Sequence, residues 1–106
     1  MNRAEAIDVL RRYESELRTR GVRRAAIFGS VARDEAGPAS DVDILIDLDP
    51  DAGLDVFAYS GLKRFIASLF AGRVDVVARC ALKPDLRFPA EQDAVYAFLR
   101  ERRPAT

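Results

Sequence analysis

The stretch that decides the fold is FGSVARDEAGPASDVDILIDLD, residues 28–49. It places a Gly-Ser pair at the end of one apolar run, and it places Asp41 and Asp43 at the start of a second apolar run. Strands that fill a core normally carry apolar side chains, and a buried carboxylate costs free energy unless it has a partner. Two carboxylates in this position therefore need a physical explanation.

The composition of the chain narrows the chemistry that is available to it. The 106 residues include 17 basic and 17 acidic side chains, a single cysteine (Cys80) and no histidine. Zero net charge gives no bulk attraction to nucleic acid, so direct nucleic-acid binding is not expected. Disulfide frameworks, Cys/His zinc sites and histidine-based triads are excluded, so a general base or metal ligand must be a carboxylate. No signal peptide or bilayer-length apolar run is visible, which predicts a cytoplasmic protein without a membrane partner.

The elements before the Gly-Ser pair follow from local signals. Asn2 with Glu5 three residues later predicts a helix that begins with a capping box. Apolar residues then recur at helical spacing as far as a predicted stop at Gly21; they are Ala6, Leu10, Tyr13 and Leu17. Residues 25–28 predict a short buried strand, and residues 31–33 predict one helical turn.

The second half of the chain predicts two strands and two helices. Residues 42–48 alternate between apolar and polar side chains, which predicts a half-buried strand after a loop at 34–40. A helix near residues 58–69 and a strand at 73–78 follow, and Pro89 suits the first turn of a last helix. That last helix is predicted to carry Ala94, Val95, Phe98 and Leu99. The sequence predicts one α/β (α+β) domain over residues 1–106, with a three-stranded or slightly larger sheet, flanking helices and a loose tail at 104–106.

The acidic residues in the predicted strands suggest a metal site. Asp41 and Asp43 emerge from the same strand face, roughly 7 Å apart at Cα. Two like charges at this separation are unfavourable unless a cation lies between them or one is protonated, and Mg²⁺ is the natural cation for oxygen ligands. Asp75, in the third predicted strand, is the candidate for a third ligand of a two-ion site. The alternatives are an exposed strand face for Asp41 and Asp43, and a cap or solvated edge for Asp75.

The Gly-Ser pair adds a complementary feature. Gly29 and Ser30 offer backbone N–H groups and a hydroxyl at the start of a helical turn, a combination that suits phosphate oxygens. Arg33, one turn later, can donate to the same anion through its forked guanidinium. Alone, such a pair is usually an ordinary turn, and the chain has no P-loop pattern. A phosphate cradle together with a carboxylate cluster predicts a metal-dependent nucleotide site.

Three segments resemble the minimal nucleotidyltransferases of the DNA polymerase β superfamily. They are residues 29–33 (GSVAR), residues 40–45 (SDVDIL) and residues 74–77 (VDVV). The family pattern is Gly-Ser-x-Ala-Arg-Gly, a spacer, Ser-Asp-x-Asp followed by an apolar residue, and a later strand with a third Asp. The resemblance covers nearly the whole chain and implies a polymerase β-like nucleotidyltransferase fold. In one place the chain departs from the pattern, because Asp34 replaces the glycine after the arginine.

The resemblance also implies roles for individual residues. Three carboxylates are expected to be catalytic and to bind two Mg²⁺ ions: Asp41, Asp43 and Asp75. By the same analogy, Asp75 is expected to be the base for an attacking hydroxyl. Four residues are expected to bind the nucleotide, with the first two holding the β- and γ-phosphates of ATP: Gly29, Ser30, Arg33 and Ser40.

Many similar proteins are the antitoxin half of a toxin–antitoxin module. Their partner is a HEPN-type ribonuclease toxin, which is silenced when AMP from ATP is transferred to one of its tyrosines. The resemblance thus implies a protein adenylyltransferase that uses ATP and acts on such a toxin. Two alternatives remain open from the sequence: an antitoxin that neutralises its partner by binding alone, and a nucleotidyltransferase that acts on RNA or a small molecule.

Overall fold

The computed structural model describes residues 2–33, 41–81, 85, 92 and 94–98. Within them, the helices are α1 (Arg3–Arg12), α2 (Glu14–Thr19), α3 (Gly29–Ala32) and α4 (Val56–Ser68). The strands are β1 (Val22–Phe28), β2 (Val42–Leu48), β3 (Val74–Ala78) and β4 (Val95–Phe98). Two short 3₁₀ turns follow β2 and β3, at Pro50–Ala52 and Arg79–Ala81.

The strands form one mixed sheet in the order β3-β2-β1-β4. β2 pairs antiparallel with β1 and parallel with β3, while β4 pairs antiparallel with β1. The register puts Asp43 opposite Phe28 on one side and opposite Asp75 on the other. The end of β1 and the starts of β2 and β3 therefore meet at the same end of the sheet. This confirms the predicted small mixed sheet flanked by helices.

The first helix confirms the predicted capping box but not the predicted continuity. The Asn2 side chain accepts a hydrogen bond from the backbone N–H of Glu5 at 2.8 Å, and the Glu5 carboxylate accepts one from the Asn2 N–H at 3.0 Å. The helix is divided at Tyr13, where φ is −105° and ψ is 16°. The Tyr13 ring packs edge-on against Phe65 of α4, with centroids 6.3 Å apart. A tertiary contact thus accompanies the break, and helical periodicity alone does not reveal it.

The predicted last helix is wrong over residues 95–98, although Gln92, within the predicted range, is helical. Val95–Phe98 is the edge strand β4, in which Val95 pairs with Ile27 and Phe98 with Ala25. β-Branched and aromatic side chains favour a strand, and the second edge of β1 provides the hydrogen-bond partners that a lone segment lacks. The positions of Leu99, of Pro89 and of the predicted tail at 104–106 lie outside the described residues, as do the loop at 34–40 and Ser40.

The core lies on one face of the sheet, under α1, α2 and α4. Alternate residues of β2 point into it, and Ile44 and Ile46 are fully buried. The other face is not entirely open, because Ala26 and its cross-strand neighbour Leu45 are also buried there, outside the main core cluster. β2 therefore carries core residues on one face, and on the other it carries Asp43 next to the buried Leu45.

Two long-range hydrogen bonds attach helices to the sheet, one from α1 to the turn after β1 and one between α4 and β3. The Arg3 guanidinium of α1 donates to the carbonyl of Ala32 at 3.1 Å and so holds the turn that follows β1. The Tyr59 hydroxyl of α4 accepts from the backbone N–H of Ala78 at 3.3 Å. Among the described residues, no helix has the length and apolarity needed to cross a bilayer.

We predict that Ile44→Ala lowers the free energy of unfolding by about 2–5 kcal/mol, because it removes a fully buried side chain from the strand that joins core and site. Val56→Ala is the control, since Val56 is 76% exposed and its truncation should cost no more than about 0.5 kcal/mol. Urea unfolding followed by circular dichroism measures both. Equal losses for the two variants would contradict this assignment of the core.

Candidate active site

The three predicted carboxylates come together at one end of the sheet. Asp43 and Asp75 are direct cross-strand partners on the parallel strands β2 and β3. Asp41 lies two residues before Asp43, so its side chain belongs to the same face. Asp41 and Asp43 are half-buried, whereas Asp75 is exposed. Asp75 is thus presented to solvent by the edge strand β3, while Asp43 lies on the inner strand β2.

The charges of these residues act on one another. The pKa of Asp43 is raised above its usual value, first because burial disfavours the charged form and then because Asp75 and Asp41 repel it. The ionised site is therefore electrostatically unfavourable by itself. A divalent cation would lower the repulsion between the three groups, and carboxylate oxygens are the hard ligands that Mg²⁺ prefers.

Gly29 lies directly against Asp43. Its φ is +75°, and a β-carbon at this position would overlap Oδ2 of Asp43 and come within 3.4 Å of its Cγ. Only glycine meets both requirements, the left-handed backbone and the close approach. The sequence predicted Gly29 as part of a phosphate cradle. The structure adds a packing requirement that the sequence pattern does not reveal.

The short helix α3 starts at this glycine. Phe28 before it is extended, so the chain turns abruptly from β1 into the helical turn. Because the first N–H groups of a helix have no acceptors within it, the N–H groups of Gly29 and Ser30 are available to a ligand or to another partner. Ser30 is half-buried. Arg33 is exposed and follows at the end of the turn. Its backbone N–H donates a hydrogen bond to the carbonyl of Gly29 at 3.2 Å.

Arg73 is a neighbour of the site that the sequence reasoning did not select. Its Nε lies 3.7 Å from Oδ1 of Asp41, and its backbone carbonyl accepts a hydrogen bond from the Val42 N–H at 3.0 Å. A signal was present in the sequence, since Arg73 precedes Asp75 by two residues and so shares its strand face. Because arginines are common at exposed strand ends, this spacing alone does not distinguish a site residue from an ordinary surface residue.

The donor set fits a hard cation, although the described side chains are not drawn together into a finished metal cluster. Asp41 is directed at Arg73, Asp43 lies beside Gly29, and Asp75 is on the exposed edge. All three offer carboxylate oxygens, and the repulsion at Asp43 gives a cation a reason to bind. The arrangement can hold divalent metal next to a turn rich in N–H donors, which is suitable for a metal-bound phosphate.

Comparison with known proteins agrees with a site for a metal-bound phosphate. The family model described as "Nucleotidyltransferase domain" matches residues 10–105. The chain is 36% identical over 93 residues to "Protein adenylyltransferase MntA" of Thermococcus cleftensis, an alignment that covers 87% of this chain and 92% of the relative. The region matched by the family model includes all three carboxylates and the Gly-Ser turn.

Solved structures agree with the fold. One structure described as a minimal nucleotidyltransferase superimposes with a TM-score of 0.69 at 33% identity, covering 90% of this chain and 95% of the other. A toxin–antitoxin structure with AMP-PNP superimposes with a TM-score of 0.67 and covers 95% of this chain and 76% of the other. At 20% identity, the second likeness concerns the fold alone. By sequence match, by identity to its relatives and by fold, the chain belongs to the nucleotidyltransferase domain family.

Proposed function

We propose that this protein is a Mg²⁺-dependent protein adenylyltransferase that acts as an antitoxin, transferring AMP from ATP to a tyrosine of a HEPN-type ribonuclease toxin. The observation that carries the proposal is the strand register, which puts Asp43 between the Gly29 turn and Asp75. The relative named as a protein adenylyltransferase and the fold shared with a toxin–antitoxin structure that contains AMP-PNP support the choice of nucleotide and partner.

The three carboxylates would hold the metal ions in this proposal. They are Asp41, Asp43 and Asp75. Two Mg²⁺ ions would supply Lewis-acid polarisation of the α-phosphate and neutralise charge on the leaving pyrophosphate. The half-buried Asp43 is the most strongly fixed of the three, because it is paired on both sides within the sheet.

The Gly-Ser turn would orient the nucleotide. The N–H groups of Gly29 and Ser30, with the Ser30 hydroxyl, would donate to the β- and γ-phosphate oxygens. Arg33 would add a charge-assisted donor one turn later, and Ser40 is assigned to the same role by its place in the family pattern. With the triphosphate held from this side, the α-phosphorus would face the carboxylates.

The exposed Asp75 would take the proton from the attacking hydroxyl. A tyrosine oxygen would bond to the α-phosphorus as the bond to the bridging oxygen of pyrophosphate breaks, and the hydroxyl proton would pass to the Asp75 carboxylate. Asp75 lies on β3, an edge strand of the described sheet, so a side chain on the surface of another protein can approach it. Because the chain has zero net charge, it has no bulk electrostatic attraction for RNA as an alternative substrate.

The decisive test is to incubate the protein with its HEPN-type partner, ATP and Mg²⁺ and to weigh the partner by mass spectrometry. We expect the mass of one or more AMP groups on a tyrosine-containing peptide, and no addition when EDTA is present. The control is the double variant Asp41→Asn/Asp43→Asn, which keeps the shape of both side chains. A folded wild-type pair that gains no nucleotide would refute the enzymatic proposal.

The same double variant separates catalysis from neutralisation by binding alone. If transfer of AMP silences the toxin, cells that express the toxin with the double variant should stop growing, while the two proteins still co-purify. Full protection by the double variant would favour the binding-only antitoxin.

We predict that Gly29→Ala reduces adenylyl transfer by about 100-fold, because the added β-carbon would push Asp43 out of position. The left-handed backbone should also cost about 1–2 kcal/mol of stability. Gly72→Ala is the matched control, because a β-carbon there meets nothing within 4 Å. Transfer rates and unfolding free energies for both variants measure the effect, and equal behaviour of the two would contradict the proposed contact.

We predict that Asp43→Asn stabilises the protein in EDTA while abolishing transfer. The pKa of Asp43 is raised in the fold, so its ionisation opposes folding; the stability gained by the substitution should be small near pH 3.8 and should grow as the pH rises above that ordinary value. At neutral pH we therefore expect a higher Tm for Asp43→Asn than for the wild type, measured by thermal unfolding in EDTA.

Asp47→Asn is the control for this prediction, on the same strand and the same face. Asp47 pairs with Arg24, and its Oδ2 accepts from Arg24 Nε at 2.7 Å. Its substitution should therefore lower the Tm. A lower Tm for Asp43→Asn as well, at neutral pH in EDTA, would show that Asp43 is a structural carboxylate rather than a repelled one.

A further inference from the structure

Arg73 is a cation that the structure places against the carboxylate group, with its Nε 3.7 Å from Oδ1 of Asp41. It immediately precedes Val74, the cross-strand partner of Val42, just as Asp41 immediately precedes Val42. The hydrogen bond from the Val42 N–H to the Arg73 carbonyl fixes this neighbourhood at the backbone level. The sheet therefore fixes the backbones of Arg73 and Asp41 side by side, and the guanidinium, on a side chain that is 88% exposed, lies near Asp41.

We propose that Arg73 is the built-in counter-cation of the site: its guanidinium competes with divalent metal for Asp41, so that metal binds more weakly alone than together with a nucleotide. This inference rests on the proposed function, because it assumes that the site takes both metal and a nucleoside triphosphate. It adds a residue that sets the order and coupling of their binding.

The competition follows from the charges on the sheet face. Asp41, Asp43, Asp75 and Arg73 together carry a net charge of minus two when all are ionised. Metal that binds in the absence of nucleotide must separate the guanidinium from Asp41, and the guanidinium then loses its carboxylate partner. The pair is long, at 3.7 Å, and both of its members are open to solvent, so the cost is modest and a cation can overcome it.

A nucleotide changes this balance. The triphosphate brings several anionic oxygens, and the forked guanidinium is a suitable donor to them. Arg73 then exchanges one anionic partner for another rather than losing its partner. The penalty on metal binding disappears when the metal comes with ATP, so metal and nucleotide bind cooperatively.

The test is a calorimetric titration of Mg²⁺ into the whole protein, with and without saturating AMP-PNP, an analogue that resists transfer. Arg73→Gln should bind Mg²⁺ alone about 2- to 5-fold more tightly than the wild type, the size expected for an exposed ion pair. With AMP-PNP present, this advantage should vanish or reverse. Arg73→Lys, which keeps the charge, should stay within about twofold of the wild type in both titrations.

The matched control is Arg12→Gln, which removes the same charge from another exposed Arg–Asp pair, that of Arg12 with Asp8 on α1. It should leave both affinities unchanged. Arg73→Gln that behaves like Arg12→Gln, or that gains affinity equally with and without AMP-PNP, overturns the role of Arg73. Arg73→Lys that matches Arg73→Gln overturns it too. A wild-type protein that binds no Mg²⁺·AMP-PNP at all overturns the proposed function, and this inference falls with it.

Discussion

The pairing of β2 with both of its neighbours is the constraint on which the site depends. It puts Asp43 beside Gly29 at the end of β1 and beside Asp75 at the start of β3. Because side chains alternate along a strand, a shift of one residue in this register would turn Asp43 into the core and Ile44 out of it. The apolar face of β2 therefore fixes the position of the carboxylates, and hydrophobic burial specifies the geometry of a polar site.

Burial on one face also accounts for the electrostatic cost on the other. Asp43 is half-buried because its strand lies between two others, and it cannot escape Asp41 and Asp75 while the core residues of β2 stay in place. The fold thus tolerates a repulsive cluster that a ligand can relieve. Such local destabilisation is typical of functional sites, where stability and activity make opposing demands.

Much of this arrangement could be predicted from local patterns. The largely alternating pattern of residues 42–48 located β2, the Asn2–Glu5 spacing located the start of α1, and the family pattern singled out the three carboxylates that the sheet brings to one end. The features that were missed depend on tertiary contacts. β4 was predicted as helix because Val95 and Phe98 have a spacing that suits a helical face, while the edge of β1 that they cover is distant in sequence. The contact of Gly29 with Asp43 is equally invisible in a one-dimensional pattern.

The exposure of the site increases from the inner strand of the sheet to its edge. Asp43 is fixed between two strands, whereas Asp75 and Arg73 lie on the exposed edge strand or just before it. In the proposed function, a rigid inner carboxylate would give the cation a fixed point, and the exposed outer groups would reorient when metal, nucleotide or a protein substrate arrives. This explains why the described carboxylates lie on one face and repel one another, but are not close enough together to form a metal-binding cluster. On this proposal the sheet provides the position of the carboxylates, and ligand binding would complete the coordination.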